Sequence, residues 1–289
     1  MTGPEFRMAK IDVVSPAWLA ERFGDPSVVV LDGSYYLPAH GRDADAEYLE
    51  AHIPGAIRFD IDAVKDPNSP LPHMLPDPDE FAAAVGAMGI SDRHTIVAYD
   101  GLGLFAAPRV AWTFRTFGAP RVAVLDGGLP AWRATGLPLE RGEPEPRDPA
   151  TFAARFDESA VADRQAVARA LANGTAQVVD ARSAARFTGE EQEPRAGMRS
   201  GHMPGTRNVH YASLLRDGRL ADKASIEAAL AAAGVDPSRP ILTTCGSGVT
   251  AAILVLAIEQ TGRPAPALYD GSWAEWGSLG DTPVATGPA

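Results

Sequence analysis

The strongest constraint on how this chain of 289 residues can fold is an internal repeat. Four segments, VVVLDGS, AHIPGAIRFD, IVAYDGLGLFAA and LDGGLPAW, begin at positions 28, 51, 96 and 125. They are matched in the same order by AQVVDARS, GHMPGTRNVH, ILTTCGSGVTAA and YDGSWAEW, each 144 to 150 residues further along. Self-similarity at a nearly fixed spacing indicates that one folding unit has been duplicated in tandem.

Each unit alternates short apolar runs with helical patterns. In the second unit AQVVD, PILTTC and APALYDG predict strands, and the helical patterns around them stop at Gly174, Gly234 and Gly262. Strands separated by helices of about ten to fifteen residues form parallel sheets. We therefore predict an α/β fold of two tandem domains, each a mostly parallel sheet with helices on both faces.

A change of composition marks the boundary between the units. The stretch LERGEPEPRDPA at 139–150 is rich in proline and charge, which is typical of a linker. We assign residues 8–140 to the N-terminal domain, 141–155 to the linker and 156–289 to the C-terminal domain. Residues 1–7 precede a second methionine, and we interpret them as a cloning scar.

Charge and cysteine content narrow the range of partners. A net charge of -11 and a pI near 5.0 leave no basic surface for nucleic acid or anionic membranes. A single cysteine permits no internal disulfide, which suits a reducing compartment, so we expect a cytoplasmic protein. No cluster of residues has metal-ligand spacing, so we expect neither a metal nor a cofactor. The remaining partners are small molecules and other proteins.

That single cysteine, Cys245, ends the predicted strand PILTTC and precedes a glycine-rich turn. A lone cysteine is often a small buried hydrophobe, and this interpretation stays open. Active sites of parallel sheets, however, lie at the carboxyl ends of strands, and small residues after Cys245 let successive N–H groups surround and stabilise a thiolate. The first unit carries Asp100 at the matching position, so the sequence predicts one catalytic unit and one without a nucleophile.

The same turn also resembles a dinucleotide-binding fingerprint. Gly101 and Gly103 follow a strand, and Asp126 lies at about the expected distance. The second unit repeats this spacing at Gly246 and Gly248, and in both units an earlier strand precedes the glycines, whereas the fingerprint follows the first strand. A shared backbone turn therefore explains the pattern better than a nucleotide site.

Nine short motifs are spread along the chain: HIPGA at 52–56, HMLP at 73–76, APRVAW at 107–112, LDGG at 125–128, ARFTG at 185–189, EPRAG at 193–197, SGHMPG at 200–205, CGSGVTA at 245–251 and YDGSW at 269–273. Over essentially the whole chain, these motifs resemble the two-domain rhodanese superfamily and, within it, the mercaptopyruvate sulfurtransferases. The thiosulfate-preferring members carry basic residues after the cysteine, whereas Gly246 and Ser247 are neutral. A compact dianion would be bound by cations, so the loop favours mercaptopyruvate.

The resemblance implies a sulfurtransferase that moves the sulfur of 3-mercaptopyruvate through a persulfide on Cys245 and releases pyruvate. The acceptor would be a thiol, cyanide or a thioredoxin-like protein. Arg186 and Arg195 would bind the substrate carboxylate, since guanidinium takes a carboxylate in two parallel hydrogen bonds. The persulfide would be stabilised by the loop residues Gly246, Ser247, Gly248, Val249 and Thr250.

The resemblance also implies a proton relay. It would join Ser247 to a histidine of the first domain, which we take to be His52, with Asp43 as a candidate partner. His73 is interpreted as an interdomain packing residue. Solvated loop charges remain the alternative for Arg186 and Arg195.

Three other functions are considered. The first is a thiosulfate sulfurtransferase, and the second is a non-catalytic persulfide carrier or scaffold module. The third, a phosphatase, requires an arginine where Ala251 stands, so the sequence disfavours it.

Overall fold

The computed structural model describes residues 9–289, so the proposed cloning scar at 1–7 lies outside the described residues. The first domain contains β1 (Ile11–Val14), α1 (Pro16–Ala20), β2 (Val28–Asp32), α2 (Ala44–Glu50), β3 (Ile57–Arg58), α3 (Pro78–Ala87), β4 (Thr95–Tyr99), α4 (Ala107–Thr116), β5 (Val122–Leu125) and α5 (Gly128–Ala134). The second contains β6 (Val161–Ala162), α6 (Arg164–Asn173), β7 (Gln177–Asp180), α7 (Ala184–Thr188), β8 (Arg207–Asn208), β9 (Leu215–Arg216), β10 (Arg219–Leu220), α8 (Lys223–Ala232), β11 (Ile241–Thr244), α9 (Ala251–Gln260), β12 (Ala267–Tyr269) and α10 (Ser272–Trp276). Short 3₁₀ turns lie at Pro38–His40, Glu158–Ala160 and Tyr211–Leu214.

The two domains have the same sheet. The strand order is β1-β5-β4-β2-β3 in the first and β6-β12-β11-β7-β8 in the second, and every neighbouring pair in both sheets is parallel. The antiparallel hairpin β9–β10 stands apart from both sheets. The predicted α/β fold of two tandem domains is confirmed.

Both faces of each sheet are buried, which explains why the strands are continuous apolar runs. In β4, Ile96 and Ala98 belong to the main core, whereas Val97 and Tyr99 belong to a second cluster on the opposite face. Successive side chains of a strand point to opposite faces, so a run that is apolar throughout requires helices on both sides.

Helix boundaries follow the local chemistry of the chain. Asp163 begins α6 by accepting the N–H of Ala166 at 2.6 Å, and Asp222 begins α8 in the same way. Gly174, with φ of 62°, ends α6 in the left-handed conformation that glycine adopts without strain.

The domains meet along the helices that follow the two matched loops. Helices α4 and α9 pack against each other, and the main apolar core continues from one domain into the other. Arg115 of α4 and Glu259 of α9 form a buried ion pair across this contact, with 3.0 Å between Nη1 and Oε1. The two domains are therefore joined through a hydrophobic interface that contains charge pairs.

Each domain also extends a segment onto the matched loop of the other domain. The N–H of Leu75 donates to Asp270 Oδ2 at 2.8 Å, and the N–H of Leu220 donates to Asp126 Oδ1 at 3.0 Å. We call residues 60–77 the first arm and residues 211–221 the second arm. The two arms occupy corresponding places, because Leu75 and Asp270 match Leu220 and Asp126 in the repeat.

The predicted linker, 141–155, contains no helix or strand and lies against the first domain. Phe152 packs edge-on against Phe81 and Phe114, and the N–H of Ala150 donates to Gly86 O at 2.8 Å. Within residues 9–289, no helix has the length and apolar character needed to cross a membrane.

Candidate active site

Cys245 lies immediately after β11, at the carboxyl edge of the second sheet. Its N–H donates to Ser272 Oγ at 3.3 Å, and its carbonyl accepts the N–H of Trp273 at 3.0 Å. Its residue surface is only 2% exposed and contributes to the main core. Burial alone is thus compatible with a cysteine that serves only as a hydrophobic core residue. The residues around Cys245 distinguish this interpretation from that of a reactive thiolate.

The loop after Cys245 presents a row of unused N–H groups. Between Gly246 and Thr250, no backbone N–H has a hydrogen-bond partner in the described part of the chain. Gly248 adopts φ of 79°, which lets the loop turn tightly before α9 begins at Ala251. Consecutive free N–H groups in front of a helix form a concave site for an anion, as the sequence predicts for the persulfide loop.

Arg186 lies against this loop from the side of α7. A Cβ built on Gly246 would come within 2.8 Å of Arg186 Nη2. The guanidinium is anchored by Glu193, whose Oε2 lies 2.5 Å from Nη2. Glu193 is buried and also pairs with Arg182 at 2.7 Å, so its carboxylate holds two guanidinium groups. Arg186 is therefore fixed beside Gly246 by its ion pair with Glu193.

Arg195 approaches from the same segment but contacts the first domain. Its Nη2 lies 3.5 Å from the Tyr35 hydroxyl and 3.3 Å from His73 Nε2. Across the described residues, no carboxylate comes within ion-pair distance of Arg195. Of the two predicted substrate arginines, Arg195 thus retains the more complete capacity for an external carboxylate, whereas Arg186 already holds Glu193.

His73, on the first arm, pairs with Asp62 beside the loop. Its Nδ1 lies 3.0 Å from Asp62 Oδ1, and its ring is buried edge-on against Tyr35. Burial lowers the pKa of His73 below its usual 6.5, against the opposing effect of Asp62. The contact with His73 lowers the pKa of Asp62 to about 2. At neutral pH the pair is an ionised carboxylate and a neutral imidazole, whose Nε2 accepts an N–H from Arg195.

The structure does not bring His52 to Ser247, so the predicted relay requires a correction. His52 precedes β3, at the amino edge of the first sheet, and is fully buried. Its Nδ1 lies 2.8 Å from Tyr48 O, and its ring stacks on Tyr48. His202 makes the same pair of contacts with Phe187 in the second domain. The repeated histidine supports the fold in both units and does not reach the cysteine loop.

The candidate aspartate for the relay is corrected in the same way. Asp43 caps α2 by accepting the N–H groups of Asp45 and Ala46, both at 3.0 Å. The pair that the sequence analysis missed is Asp62 and His73. Its signal is a break in the repeat: His73 occupies the position of Gly218, and both residues are left-handed, with φ of 59° and 73°. A non-glycine residue in that conformation is uncommon and often marks a functional site.

No group of three or more His, Cys, Asp or Glu side chains within 9–289 is arranged to hold a metal ion. The arrangement around Cys245 consists instead of an anion-binding loop, two guanidinium groups and a neutral imidazole. Such a set can stabilise a sulfur anion, hold a small carboxylate and move a proton.

Comparison with protein families gives two matches within the chain. The model of the rhodanese-like domain matches residues 15–135 and 163–279. Each range contains four of the five strands of its sheet and begins just after the first strand, β1 or β6.

Individual relatives align over nearly the full length. The chain is 44% identical to the 3-mercaptopyruvate sulfurtransferase of Escherichia coli over 94% of this chain and 96% of the relative. It is 43% identical to the rat enzyme of the same name, covering 96% and 94%. The crystal structure of SseA, a 3-mercaptopyruvate sulfotransferase from Escherichia coli, matches with a TM-score of 0.84 and 41% identity, covering 91% of this chain and 99% of SseA.

Proposed function

This chain belongs to the rhodanese-like family of sulfur-transferring proteins, and we propose that it is a sulfurtransferase that takes its sulfur from 3-mercaptopyruvate and carries it as a persulfide on Cys245. The observation that carries the proposal is the position of Cys245. The thiol stands at the head of a loop whose N–H groups are unpartnered among the described residues, between Arg186 and the first arm.

In the first step, the Cys245 thiolate attacks the sulfur of the donor. A sulfur–sulfur bond forms, the carbon–sulfur bond of the donor breaks, and its electron pair leaves with the carbon as pyruvate enolate. The free N–H groups of residues 246–250 support this step because they stabilise negative charge on either sulfur of the persulfide.

The donor carboxylate is bound by the two arginines. Arg195 has no carboxylate partner in the described chain, and Arg186 presents its remaining N–H groups next to Gly246. A carboxylate between them would place the donor over the cysteine loop. Guanidinium groups suit this role because they bind planar carboxylates bidentately.

The Asp62–His73 pair supplies the proton transfer. The proton that the donor thiol loses is the one that the enolate carbon gains, so a neutral base that accepts and returns a proton is sufficient. His73 is neutral because burial lowers its pKa, and Asp62 orients Nδ1. Its Nε2, which accepts an N–H from Arg195, takes up the donor proton once Arg195 turns to the donor carboxylate. Ser247, buried in the loop, remains a candidate for passing the proton to the enolate.

In the second step, a thiol, a thioredoxin-like protein or cyanide attacks the outer sulfur and regenerates the Cys245 thiolate. The chain has no second cysteine, so the persulfide must be resolved by an external acceptor. We place this reaction in the cytoplasm because a chain with a single thiol suits a reducing compartment.

The test is turnover of mercaptopyruvate and of thiosulfate by the wild type and by Cys245→Ser and Arg195→Met. We expect pyruvate release with mercaptopyruvate as the better donor, and a mass gain of one sulfur atom on Cys245 in the absence of acceptor. Arg195→Met should raise KM by about 10- to 100-fold, the loss expected for a charge-assisted carboxylate contact. Pyruvate release by Cys245→Ser at the wild-type rate would disprove the mechanism, and a clear preference for thiosulfate would disprove the choice of donor.

A further inference from the structure

Arg109, on α4 of the first domain, contacts three separate parts of the candidate site. Two of them lie in the second domain, and the third is the first arm. The residue is 1% exposed. Its Nη1 lies 2.6 Å from Asp270 Oδ1, and the same nitrogen donates to the carbonyl of Gly248 at 3.3 Å. Its Nη2 donates to the carbonyl of His73. One guanidinium group therefore joins the cysteine loop, the loop after β12 and the first arm.

The contact with the cysteine loop is direct. A Cβ on Gly248 would lie 2.6 Å from Arg109 Nη1, so the loop backbone packs against the guanidinium without space for a side chain. Because the peptide unit is planar and trans, a Gly248 carbonyl that points to Arg109 turns the next N–H, that of Val249, in the opposite direction. Arg109 thus sets the orientation of one of the free N–H groups of the loop.

Asp270 provides a second connection between Arg109 and the first arm. This carboxylate accepts the N–H of Leu75 at 2.8 Å while it pairs with Arg109. Arg109 in turn holds the carbonyl of His73, two residues before Leu75. The chain just after the left-handed His73 is thus held at two points, the His73 carbonyl and the Leu75 N–H, which keeps the imidazole of His73 beside the loop.

The repeat shows that this guanidinium is not required by the fold. Asp126 receives the N–H of Leu220 just as Asp270 receives that of Leu75. At the position that matches Arg109, however, the second unit carries the fully buried Leu254. The arm-to-loop contact exists in both halves. In the other half, however, the guanidinium on Asp126 is that of Arg219, an exposed residue of the arm itself, whereas Arg109 is buried and reaches Asp270 from a helix.

We propose that Arg109 is a positioning residue for sulfur transfer. From the first domain, it holds the cysteine loop of the second domain in a fixed position relative to the first arm, which carries His73. It does not need to touch the donor, because its carbonyl contacts act on Gly248 and His73. This inference rests on the proposed function. It implies that the reaction rate depends on a contact between domains and not only on the domain that carries Cys245.

The test compares Arg109 with Arg115, a matched control on the same helix. Arg115 is also 1% exposed and also pairs with a carboxylate of the second domain, Glu259. Within residues 9–289 it makes no hydrogen bond or ion pair with the cysteine loop or the first arm. We expect Arg109→Lys, which keeps the charge but loses the fork, to reduce kcat by about 10²-fold with a smaller change in KM, as misplaced catalytic groups do. Arg115→Lys should lower Tm by about as much as Arg109→Lys does, while its kcat per folded molecule stays at the wild-type value.

A second measurement separates this inference from the proposed function. Alkylation of the sole thiol, Cys245, needs no sulfur donor, so its pH dependence reports the loop even if mercaptopyruvate is not the substrate. We expect the pH midpoint of the alkylation rate to move upward in Arg109→Lys and to stay in place in Arg115→Lys. The double variant Arg109→Met/Asp270→Asn, which leaves no unpaired charge, should shift in the same direction as Arg109→Lys. Wild-type kcat and midpoint in Arg109→Lys, or equal losses in the Arg115 control, would overturn the inference.

Discussion

The loops at Asp100 and Cys245 have the same backbone design but differ in what fills them. In the first loop, the Asp100 carboxylate accepts the N–H of Leu102 at 2.8 Å and those of residues 105–107 at 2.7 to 2.9 Å. In the second loop, the N–H groups of 246–250 have no partner within the described residues. The first loop contains its own anion, whereas the second is left open for a sulfur anion.

This difference teaches that the anion-binding loop belongs to the fold and that one side chain determines its use. A carboxylate at the head of the loop satisfies the N–H groups permanently and stabilises the turn. A thiol at the same position leaves the N–H groups available for the persulfide that we propose. The first domain therefore has a loop of the catalytic type that is already occupied.

The largest expected effect comes from making the second loop resemble the first. In Cys245→Asp, the new carboxylate should accept the loop N–H groups as that of Asp100 does. Sulfur transfer should fall by about 10⁴-fold or more, as for loss of a nucleophile. Circular dichroism melts should give a Tm at or above that of Cys245→Ala, the equally inactive control without a carboxylate. A Cys245→Asp protein that melts well below Cys245→Ala would contradict the equivalence of the two loops.

The next-largest effect concerns the two arms, which carry His73 and Gly218 at matched positions. His73→Asn should fold, because asparagine tolerates the left-handed conformation. Loss of the imidazole should reduce kcat by about 10²- to 10⁴-fold, the range of general acid–base catalysis.

The pH profile gives the sign of this effect. Burial lowers the pKa of His73 from 6.5, so the wild-type imidazole becomes protonated, and the rate falls, only as pH decreases below that value. Asp62, with a pKa of about 2, stays ionised through this range and contributes no limb of its own. The acid limb of kcat/KM should disappear in His73→Asn. Its persistence there would assign it to another group.

The smallest effect concerns stability alone. Asp100→Ala leaves the N–H groups of the first loop without their buried carboxylate and should lower the free energy of unfolding by about 2 to 4 kcal/mol in urea denaturation. Asp222→Ala, which removes an exposed cap from α8, should cost about 1 kcal/mol and serves as the control. Sulfur transfer per folded molecule should be unchanged in both. A selective loss of transfer in Asp100→Ala would mean that the first loop takes part in the reaction.

Much of this molecule follows from its sequence. The repeat and the alternation of apolar runs with helical patterns predict two parallel sheets, and the position of Cys245 at the end of PILTTC predicts a thiol at a carboxyl edge. The roles of Arg186 and Arg195 stay predictions, although Arg186 does lie beside Gly246. These features depend on local pattern and on topology, which a sequence carries directly.

The roles of the first-domain residues Asp62, His73 and Arg109 could not be predicted from the sequence, because these residues reach the cysteine loop only through the packing of the two domains. The resemblance implies a relay histidine in the first domain, which the sequence analysis takes to be His52. That residue recurs as His202, and a residue present in both copies serves what the copies share, which is the fold. His73 stands where the second copy has Gly218, and Arg109 lies within the apolar motif APRVAW, where no pattern announces a buried ion pair. In a duplicated chain, the positions at which the copies differ are the better guide to the site.

The reciprocal arms have a consequence for how such a duplication can diverge. Residues 156–289 contain Cys245 and the two arginines that we propose to bind the donor, whereas Asp62, His73 and Arg109 lie in the other half of the sequence. Because each copy contributes an arm to the matched loop of the other, the first copy needs no nucleophile of its own. A second copy alone would have the cysteine without the proposed base, His73, and without the buried guanidinium of Arg109.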